Sequence, residues 1–569
     1  MSKGYILGIS CGYHDSAAAL IKNGKVLGAV EEERFTGIKH DSSFPIETIK
    51  WLYSEFKVEK DDIDAICFYE NPNLKLDRIQ KSTKRGGILN YFNRTKIIKR
   101  NKKEYKKLDT LINSIKGENT KIIYGDHHLS HVAYSYYTSP FNKSTILSVD
   151  GVGEWETTSM YYGESNRLVK IGTVNFPHSL GMLYSTITAF LGFKPNEGEY
   201  KVMGLAPYGD SKRFEKEFSK LIYTKEDSYE IDMKYFTYDY SDKLMFNDKL
   251  SRLFKVVNRL PEDEITQDHK DIAAGLQSVY EKIFFHLLNK LYVKKQTNNL
   301  CLSGGCAYNG TANGKILKNT NYKKVYIPPA PSDAGSAIGC ALHYYYSTNI
   351  ESVRVDNTYP YLGPSYTNDY IESVLNSMDS EIFYVRKLYS EVVEIIANQI
   401  KEGNVVGWFQ GRMEFGARAL GNRSILANPR DPQMKSRVNR VIKKREGFRP
   451  FAPIVKLEEQ SKFFDYDESV PYMNQVIQVK KEHQKDLPAI THIDGSARIQ
   501  SLKQSNHSLM YKLLNKLAVI NDYPIVLNTS FNLKDQTMVL DPKSAIETFL
   551  NCEMDILVIH NYIIKKKIQ

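Results

Sequence analysis

The fold of the N-terminal half is decided by residues 5–30, YILGISCGYHDSAAALIKNGKVLGAV. The segment contains three apolar runs, 5–10, 17–21 and 26–30, separated first by a polar turn and then by an Asn-Gly pair. An Asn-Gly pair between two such runs is a strong signal for a two-residue hairpin turn. The segment therefore predicts three consecutive strands.

The same pattern recurs at residues 146–174. Three runs, 146–149, 156–162 and 168–174, are separated by a glycine-containing acidic turn and by a second polar turn. A repeated meander whose first turns are polar and glycine-bearing is typical of actin-like nucleotide-binding domains, where the two turns face each other and grip phosphates. We therefore predict an α/β, actin-like fold for this part of the chain.

A third piece of that fold is expected at residues 299–310, NLCLSGGCAYNG. The pattern predicts a buried strand, a Gly-Gly turn and a helix. Gly304 and Gly305 would let the backbone lie against a purine and ribose. A tight turn without a ligand is the alternative for the glycine pair alone, and the two meanders favour adenosine binding.

A metal site is predicted from two histidines and two distant acids. His127 and His131 lie in GDHHLSHVA, residues 125–133, and positions i and i+4 share one face of a helix. Asp150 ends an apolar strand, and Asp333 stands where a small-residue helix begins. Two imidazoles with carboxylates favour iron, manganese or zinc over calcium. Histidine pairs of this spacing also arise by coincidence, and the strand-end acids are what favour a metal.

Length and composition fit a large cytosolic enzyme. The 569 residues, 42% of them hydrophobic, suffice for two to four domains. No apolar run is long enough to span a bilayer, and the chain leads from Met1 into a strand rather than a signal peptide. The six cysteines lack Cys-x-x-Cys spacing and indicate reduced core residues. We expect a soluble, cytoplasmic protein with no membrane partner.

The net charge of +11 is concentrated in one segment. Residues 78–107 carry twelve basic residues and one acid, Glu104, so the rest of the chain is balanced. A general affinity for polyanions does not follow, and no nucleic-acid partner is expected. A run of like charge is usually a solvated face, and that interpretation stays open for this segment.

The chain changes character after about residue 347. Residues 349–369 are rich in Pro, Tyr, Asn and Ser, which suits a linker. Beyond them we predict helices at 391–401, 432–444 and 543–550 and strands at 405–409, 524–527 and 556–559. This alternation predicts a second α/β unit with a mixed sheet covered by helices.

This second unit holds the densest polar constellation of the chain. Arginines stand between glycines and aromatic residues in segments 411–427 and 443–453. Arg498 and the strand-end segment 527–532 add further polar groups. Because each guanidinium can hold a phosphate or carboxylate with two hydrogen bonds, the constellation predicts a pocket for multiply charged anions. A structural ion-pair network is the alternative.

These motifs together resemble the NodU/CmcH-type O-carbamoyltransferases of antibiotic, toxin and nodulation-factor biosynthesis, a family that includes the tobramycin enzyme. The resemblance runs from end to end. Its blocks are YHDSA (13–17), EEERFT (31–36) with Lys39 and His40, the His127/His131 motif, EYKVMGLA (199–206), Gly304-Gly305 with Asn309, FGARALG (415–421), RPFAP (449–453) and NTSFN (528–532).

The resemblance implies an architecture. Residues 1–355 would form an actin-like (ASKHA, TsaD-like) domain, similar to the metal-dependent threonylcarbamoyl transferase of tRNA modification. Residues 356–375 would be a linker, and residues 376–569 a YrdC-like α/β domain. A homodimer is left open.

The resemblance also implies a reaction. The C-terminal domain would make carbamoyl adenylate from carbamoyl phosphate and ATP, with Mg²⁺ accompanying the ATP. Its binding residues would be Arg418, Lys443, Arg445, Arg449, Arg498, Asn528 and Ser530. The N-terminal domain would hold the adenylate near Gly304, Gly305 and Asn309, with its phosphate on a divalent transition metal, Fe²⁺ above all, bound by His127, His131, Asp150 and Asp333. His14 would act as general base on the hydroxyl of a small-molecule natural-product acceptor, and Lys39 would hold the carbamoyl group.

The acceptor is where the chain departs from its relatives. Aminoglycoside-acting members carry an acid close to the position of Gly12, and this chain has none there. The basic segment 78–107 replaces part of the expected acceptor wall, so an anionic acceptor, a neutral acceptor and a merely solvated insertion all remain open.

Other functions on this scaffold are less favoured. A sugar kinase or ATPase needs neither a histidine-rich metal site nor a second arginine-rich domain. An actin-type assembly protein transfers nothing. A tRNA threonylcarbamoyl transferase requires a nucleic-acid surface.

Overall fold

The chain divides into two units. A computed structural model describes residues 4–82, 91–241, 243–443, 451–505 and 508–567. Residues 1–29 and 42–358 form the first unit, and residues 30–41 and 359–569 form the second. The short segment 30–41, which was expected within the N-terminal domain, thus groups with the C-terminal part of the chain.

The first unit contains the predicted meander. Its first sheet consists of β1 (Tyr5–Ser10), β2 (Ala17–Lys22), β3 (Lys25–Glu31), β4 (Ile63–Phe68) and β5 (Lys121–Tyr124), in the order β3-β2-β1-β4-β5. β1 pairs antiparallel with β2 and parallel with β4, and β4 is parallel to β5. Apolar residues fill all three meander strands, so the sheet is buried on both faces.

A second sheet repeats this arrangement. It consists of β6 (Lys143–Val149), β7 (Glu156–Glu164), β8 (Arg167–Asn175), β11 (Asn299–Ser303) and β12 (Lys324–Tyr326), in the order β8-β7-β6-β11-β12. β6 pairs antiparallel with β7 and parallel with β11, and β11 is parallel to β12. The predicted duplication is confirmed. β9 (Ile222–Thr224) and β10 (Tyr229–Ile231) form a separate hairpin.

The helices follow in chain order. They are α1 (Glu33–Thr36), α2 (Ile46–Phe56), α3 (Pro72–Ser82), α4 (Tyr91–Ile115), α5 (His127–Tyr137), α6 (Leu180–Phe190), α7 (Glu199–Leu205), α8 (Glu215–Leu221), α9 (Asp248–Phe254), α10 (Gln267–Lys294), α11 (Gly310–Asn313), α12 (Ile316–Asn319), α13 (Asp333–Thr348), α14 (Asn368–Ser377), α15 (Tyr389–Lys401), α16 (Met434–Arg437), α17 (Leu457–Phe463), α18 (Lys481–Gln484), α19 (Ser508–Asn521) and α20 (Pro542–Leu550). None of them, within the described ranges, is long and apolar enough to cross a bilayer.

The second unit is built on one mixed sheet of nine strands, as predicted for its α/β alternation. Its strands are β13 (Ile382–Arg386), β14 (Val406–Phe409), β15 (Arg423–Ala427), β16 (Ala452–Lys456), β17 (Gln475–Gln478), β18 (Ser496–Leu502), β19 (Ile525–Ser530), β20 (Ile556–Ile559) and β21 (Tyr562–Lys566). Their order is β13-β21-β20-β14-β15-β19-β16-β18-β17. The β14–β20 and β16–β18 pairs are parallel, and the other neighbouring pairs of this sheet are antiparallel.

Two local differences from the sequence prediction have clear causes. α14 begins inside the segment expected to be a linker, because the Thr367 side chain caps its first turn and Ile371 and Leu375 are buried. The helix expected at 432–444 is a short α-helix followed by a π-helical turn, Val438–Ile442.

Helices α5 and α13 pack against each other at an unusually short separation. A Cβ atom added to Gly339 of α13 would lie 1.9 Å from the backbone oxygen of Ser130 in α5. The neighbouring atom is backbone rather than a flexible side chain, so no larger residue fits without moving a helix. Glycine therefore sets the distance between the two helices that carry His127, His131 and Asp333.

We expect Gly339→Ala to lower the thermal unfolding midpoint of the protein. Overpacking of this kind costs about 1–3 kcal/mol, which corresponds to a shift of several degrees for a unit of this size. Gly204→Ala is the matched control, because Gly204 is also helical and has no atom within 4 Å of an added Cβ. Alanine there should be neutral or stabilising by up to about 1 kcal/mol. Equal midpoints for both variants would contradict the packing argument.

Candidate functional site

The four predicted metal ligands converge in the first unit. α5 carries His127 and His131 one turn apart, Asp150 directly follows β6, and Asp333 is the first residue of α13. All four are buried, and one ligand atom from each lies within 4.8 Å of the others. The elements predicted around these residues are confirmed, and metal binding itself stays a prediction.

The ligand atoms face one another. Nε2 of His127 is 3.1 Å from Oδ2 of Asp150 and 3.1 Å from Nε2 of His131. Oδ1 of Asp333 lies 3.6 Å from Nε2 of His127 and 3.4 Å from Nε2 of His131. Two imidazole nitrogens and two carboxylate oxygens around one point form a donor set that suits a first-row divalent metal. We call these four residues the metal cluster.

Neighbouring groups hold the cluster histidines in place. Oγ of Ser336 lies 2.9 Å from Nδ1 of His131, and Oε2 of Glu70 lies 3.9 Å from Nδ1 of His127. The backbone N–H of His127 donates to the carboxylate of Glu154, 3.1 Å from each oxygen. Glu154 thereby satisfies an otherwise unpaired amide at the start of α5. Contacts of this kind orient ligand side chains and fix their tautomers.

The cluster acids are held in their ionised form. Burial opposes ionisation of Asp150, but the hydrogen bonds with His127 and His131 outweigh it and hold the pKa of Asp150 well below its usual range. Burial likewise opposes ionisation of Asp333, and the charge of His127 lowers the pKa of Asp333 despite it. Ionised carboxylates are the form that binds a cation.

His14 lies in the turn between β1 and β2, where it was predicted. Its Nδ1 is 3.0 Å from Oδ2 of Asp15. Burial lowers the pKa of His14, but the hydrogen bond with Asp15 and the charges of Asp333 and Asp150 outweigh burial and raise the pKa to about 9. The turn of the first meander and the metal cluster are therefore electrostatically coupled.

Lys39 does not share a unit with His14. It is exposed on a turn in segment 30–41, which groups with the second unit. That grouping has a local cause: Gly416 donates its backbone N–H to Glu31 at 2.7 Å and accepts from the guanidinium of Arg34 at 3.1 Å. The expectation that placed Lys39 in the N-terminal domain followed chain order, which does not reveal these contacts.

The glycine pair predicted to contact adenosine lies beside the metal cluster. Gly304 has φ +82°, and an added Cβ would lie 2.3 Å from the backbone oxygen of Val149, so only glycine is accommodated. The backbone N–H of Gly305 donates to Oδ1 of Asp150 at 2.8 Å. Asn309 caps α11 and pairs its amide with Gln277 through two hydrogen bonds of 3.0 and 3.1 Å. The glycine turn is therefore bonded directly to Asp150, a member of the metal cluster.

The basic segment 78–107 separates into two environments. Arg78 in α3 is buried, whereas α4 carries exposed basic side chains. The exposed residues are Lys96, Lys99, Arg100, Lys102, Lys103, Lys106 and Lys107. Lys84 and Arg85 lie outside the described residues. Most of the excess charge therefore lies on a solvated helix face.

In the second unit, Lys443 and the end of β19 come together. The Lys443 ammonium donates to the backbone oxygens of Ser530 and Asn532 at 2.6 and 2.7 Å and to Oδ1 of Asn532 at 2.6 Å. Its distance to Oγ of Ser530 is 3.3 Å. This brings together two of the predicted anion-binding residues, Lys443 and Ser530.

The loop that carries Arg418, residues 414–422, is held by its backbone. Oε1 of buried Glu414 accepts from the N–H groups of Leu420, Asn422 and Arg423 at 2.7, 2.8 and 3.1 Å. The Asn528 amide donates to the Ala419 oxygen at 2.9 Å, and the Gln500 amide and the Tyr361 hydroxyl donate to the Leu420 oxygen at 3.0 and 2.9 Å. The loop conformation is therefore fixed independently of any ligand.

The remaining predicted anion-binding residues are partly placed. Arg418 is half-buried in this loop, and Arg498 is half-buried on β18. Asn528, on the central strand β19, is buried. Arg445 and Arg449 lie outside the described residues.

Several residues that build these sites were missed from sequence. Glu154, Ser336 and Gln500 contact backbone or imidazole groups distant in the chain, and Glu414 bonds the backbone of the loop that follows it. Of these four residues, only Ser336 could have been predicted from a local pattern, because it lies one helical turn after the predicted ligand Asp333. The others have no distinguishing motif.

The chain matches two protein-family models along most of its length. The model described as the carbamoyltransferase N-terminus matches residues 5–342, and the model described as the carbamoyltransferase C-terminus matches residues 397–566.

The chain is similar to proteins of several organisms, among them the following three. An uncharacterized Synechocystis protein is 40% identical over 99% of this chain and 97% of its own. The nodulation protein NolNO of Sinorhizobium fredii is 35% identical over 97% of this chain and 79% of its own. The 3'-hydroxymethylcephem-O-carbamoyltransferase of Amycolatopsis lactamdurans is 27% identical over 74% of this chain and 76% of its own.

The loop contacts lead to a stability test. We expect Glu414→Ala to destabilise the second unit by about 3 kcal/mol or more, because each buried N–H left without an acceptor costs about 1–3 kcal/mol. Glu414→Gln is the matched control, since its side-chain oxygen can still accept. Urea denaturation and limited proteolysis would measure the difference, with new cleavage in the alanine variant mapped to residues 410–422. Similar protection of this loop in both variants would refute the role assigned to Glu414.

Proposed function

The chain belongs to the carbamoyltransferase family, and we propose that it carbamoylates a hydroxyl group of a small-molecule natural product in an ATP-dependent reaction. The observation that carries the proposal is the metal cluster, with Gly305 bonded to one of its acids, in a chain matched by both carbamoyltransferase models. The first unit thus combines the metal cluster, proposed as the transfer site, with the Gly304-Gly305 turn, proposed to bind the nucleotide.

The proposed reaction has three steps. Water cleaves carbamoyl phosphate to carbamate and phosphate, and a carbamate oxygen attacks the α-phosphorus of ATP and displaces pyrophosphate. The acceptor oxygen then attacks the carbonyl carbon of the carbamoyl adenylate, and AMP leaves as the O-carbamate forms. We assign adenylate formation to the second unit and transfer to the first.

A divalent transition metal, with Fe²⁺ as the first choice, fits the residues of the metal cluster. Two imidazole nitrogens and two ionised carboxylates point to one position, and Ser336 supports the far nitrogen of His131. When bound there, the metal supplies Lewis acidity next to the adenylate phosphate. The backbone of Gly304 and Gly305, which lies beside Asp150, would contact the nucleotide next to the metal.

His14 is the proposed general base of the transfer step. Its imidazole can take the acceptor proton only when neutral. The hydrogen bond with Asp15 and the charges of Asp333 and Asp150 together raise its pKa to about 9. A cation held by those carboxylates would offset their charge, lower this pKa and favour the neutral form. Asp15, bonded to Nδ1, would leave Nε2 directed to the acceptor.

The second unit offers the chemistry for adenylate formation. Lys443, Ser530 and the fixed loop with Arg418 supply cationic and hydroxyl groups at the ends of neighbouring strands. Preorganised donors of this kind stabilise the charge that develops on phosphate leaving groups, and Mg²⁺ would accompany the ATP. Arg445, Arg449, Arg498 and Asn528 complete the proposed binding set.

The finer fold assignments belong to the same proposal. An actin-like first domain is supported by the identical strand order of its two five-stranded sheets. A YrdC-like second domain is supported by the family resemblance and by its mixed sheet. Lys39, from segment 30–41, is proposed to hold the carbamoyl group.

The two half-reactions should separate by mutation. We expect His14→Asn to lower carbamate product by about 10²–10⁴-fold, the usual worth of a general base, while pyrophosphate release that depends on carbamoyl phosphate continues. Ser530→Ala should instead slow pyrophosphate release. Thr529→Ser, on the other face of β19, is the control for Ser530. A pyrophosphate assay and mass spectrometry of products from a panel of hydroxyl compounds would measure both steps. Loss of pyrophosphate release in a folded His14→Asn protein would overturn the division of labour.

Metal binding has a closely matched pair of variants. His131→Asn removes the Nε2 ligand but keeps a polar atom near Ser336. His128→Asn leaves the metal cluster complete. It also keeps a polar atom near Ser159, whose Oγ is 2.9 Å from Nδ1 of His128. We expect His131→Asn alone to lower metal content and carbamate formation and to spare pyrophosphate release. Elemental analysis would be the first readout. Equal metal content in both variants, or full transfer after chelation, would refute the assignment.

A further inference from the structure

Arg78 is a buried cation with no oxygen partner among the residues that the structure describes. Its side chain extends from α3, and the residue is only 9% exposed. Within those residues, no hydrogen-bond acceptor or carboxylate lies within bonding distance of its guanidinium, and its Nε atom is fully enclosed. The ring of Phe176 lies 5.2 Å from the guanidinium carbon. An unpaired buried charge of this kind is costly.

The other buried arginines of the described chain are all paired with oxygen. They are Arg34, Arg259 and Arg423. Arg259 donates to the backbone oxygens of Leu191 and Pro261 at 2.7 and 3.1 Å. Arg423 donates to the Gln410 oxygen at 2.6 Å. Arg78 is buried as they are, but the described residues offer it no oxygen acceptor.

The acids near Arg78 are already engaged. Glu70 forms a buried ion pair with Lys75, with distances of 2.8 and 3.0 Å from Nζ to its two oxygens. Glu154 accepts from the backbone amides of His127 and Asn71. Burial lowers the pKa of Arg78, and the charges of Glu70 and Glu154 only partly oppose that shift.

The location connects Arg78 to the metal cluster. Glu70 lies two residues before the start of α3, and its Oε2 is 3.9 Å from Nδ1 of His127. The charge of Glu70 acts on Arg78. Arg78 and the cluster residue His127 therefore both lie near Glu70, so a group bound by Arg78 would lie on the Glu70 side of the cluster.

We propose that Arg78 binds an oxyanion, a phosphate or carboxylate group of a substrate, beside the metal cluster. A guanidinium offers two parallel N–H donors that match such a group, and its burial strengthens the resulting bonds. The exposed lysines of α4 have no part in this site. The inference rests on the proposed function only for the identity of the substrate. Under that function the anion is either the phosphate of the adenylate or an acidic group of the acceptor.

The first test uses stability without a ligand. Arg78→Met replaces an unpaired buried charge with an apolar side chain of similar length, so the midpoint of thermal unfolding should stay unchanged or rise. Arg259→Met is the matched control and should lower the midpoint by several degrees, because its carbonyl partners lose their donors. A loss in Arg78→Met as large as in Arg259→Met would overturn the view that Arg78 lacks a structural partner.

The second test uses inorganic phosphate as the probe. Isothermal titration at constant ionic strength should show one phosphate site fewer in Arg78→Met than in the wild-type protein, while any site in the second unit persists in both. Lys81→Met, one turn further along α3 and exposed, should keep the wild-type number. The same number of sites in wild type and Arg78→Met would refute the proposal.

A titration with AMP distinguishes the two sources of the anion. If Arg78→Met weakens AMP binding at least tenfold, the adenylate phosphate is the group that Arg78 holds. If AMP binding is unchanged while the phosphate site is lost, the acceptor supplies the anion. These measurements need no turnover, so their failure would leave the proposed carbamoyl transfer intact.

Discussion

The close contact of α5 with α13 is the constraint on which the metal cluster depends. His127 and His131 come from one helix and Asp333 from the other, and the two backbones approach so closely at Gly339 and Ser130 that a single methyl group does not fit. A wider spacing would move Asp333 out of reach of both imidazoles. Packing of the core, rather than attraction between ligands, therefore brings the donor atoms together before any cation binds.

The cluster also illustrates how the first unit manages buried charge. Asp150 and Asp333 face two imidazoles, Glu70 pairs with Lys75, and Glu154 accepts from the buried first amide of the helix that bears the histidines. Each acid has a partner that offsets the cost of burial. Against this pattern the unpaired guanidinium of Arg78 is the exception, and a missing anionic ligand is the simplest physical reason for it.

The second unit achieves rigidity in another way. Its functional loop, residues 414–422, buries the side chains of Phe415, Ala419 and Leu420. Hydrogen bonds to the loop backbone add to this packing: Glu414, Gln500 and Asn528 bond it, and Glu31 and Arg34 bond Gly416 from a distant part of the chain. A loop whose backbone is already fixed in this way costs little reorganisation when a ligand binds to it.

Local patterns in the sequence determined the strands, hairpins and helix ends, because these follow from nearest-neighbour chemistry. The duplicated meander, the helical pair His127 and His131 and the strand-end acid Asp150 were all predictable in this way. Only the tertiary structure decided the grouping of segment 30–41, the contacts made by Glu154 and Glu414, and the isolation of Arg78. Such features depend on which distant backbone atoms lie within about 3 Å of a side chain, and sequence spacing carries no record of that distance.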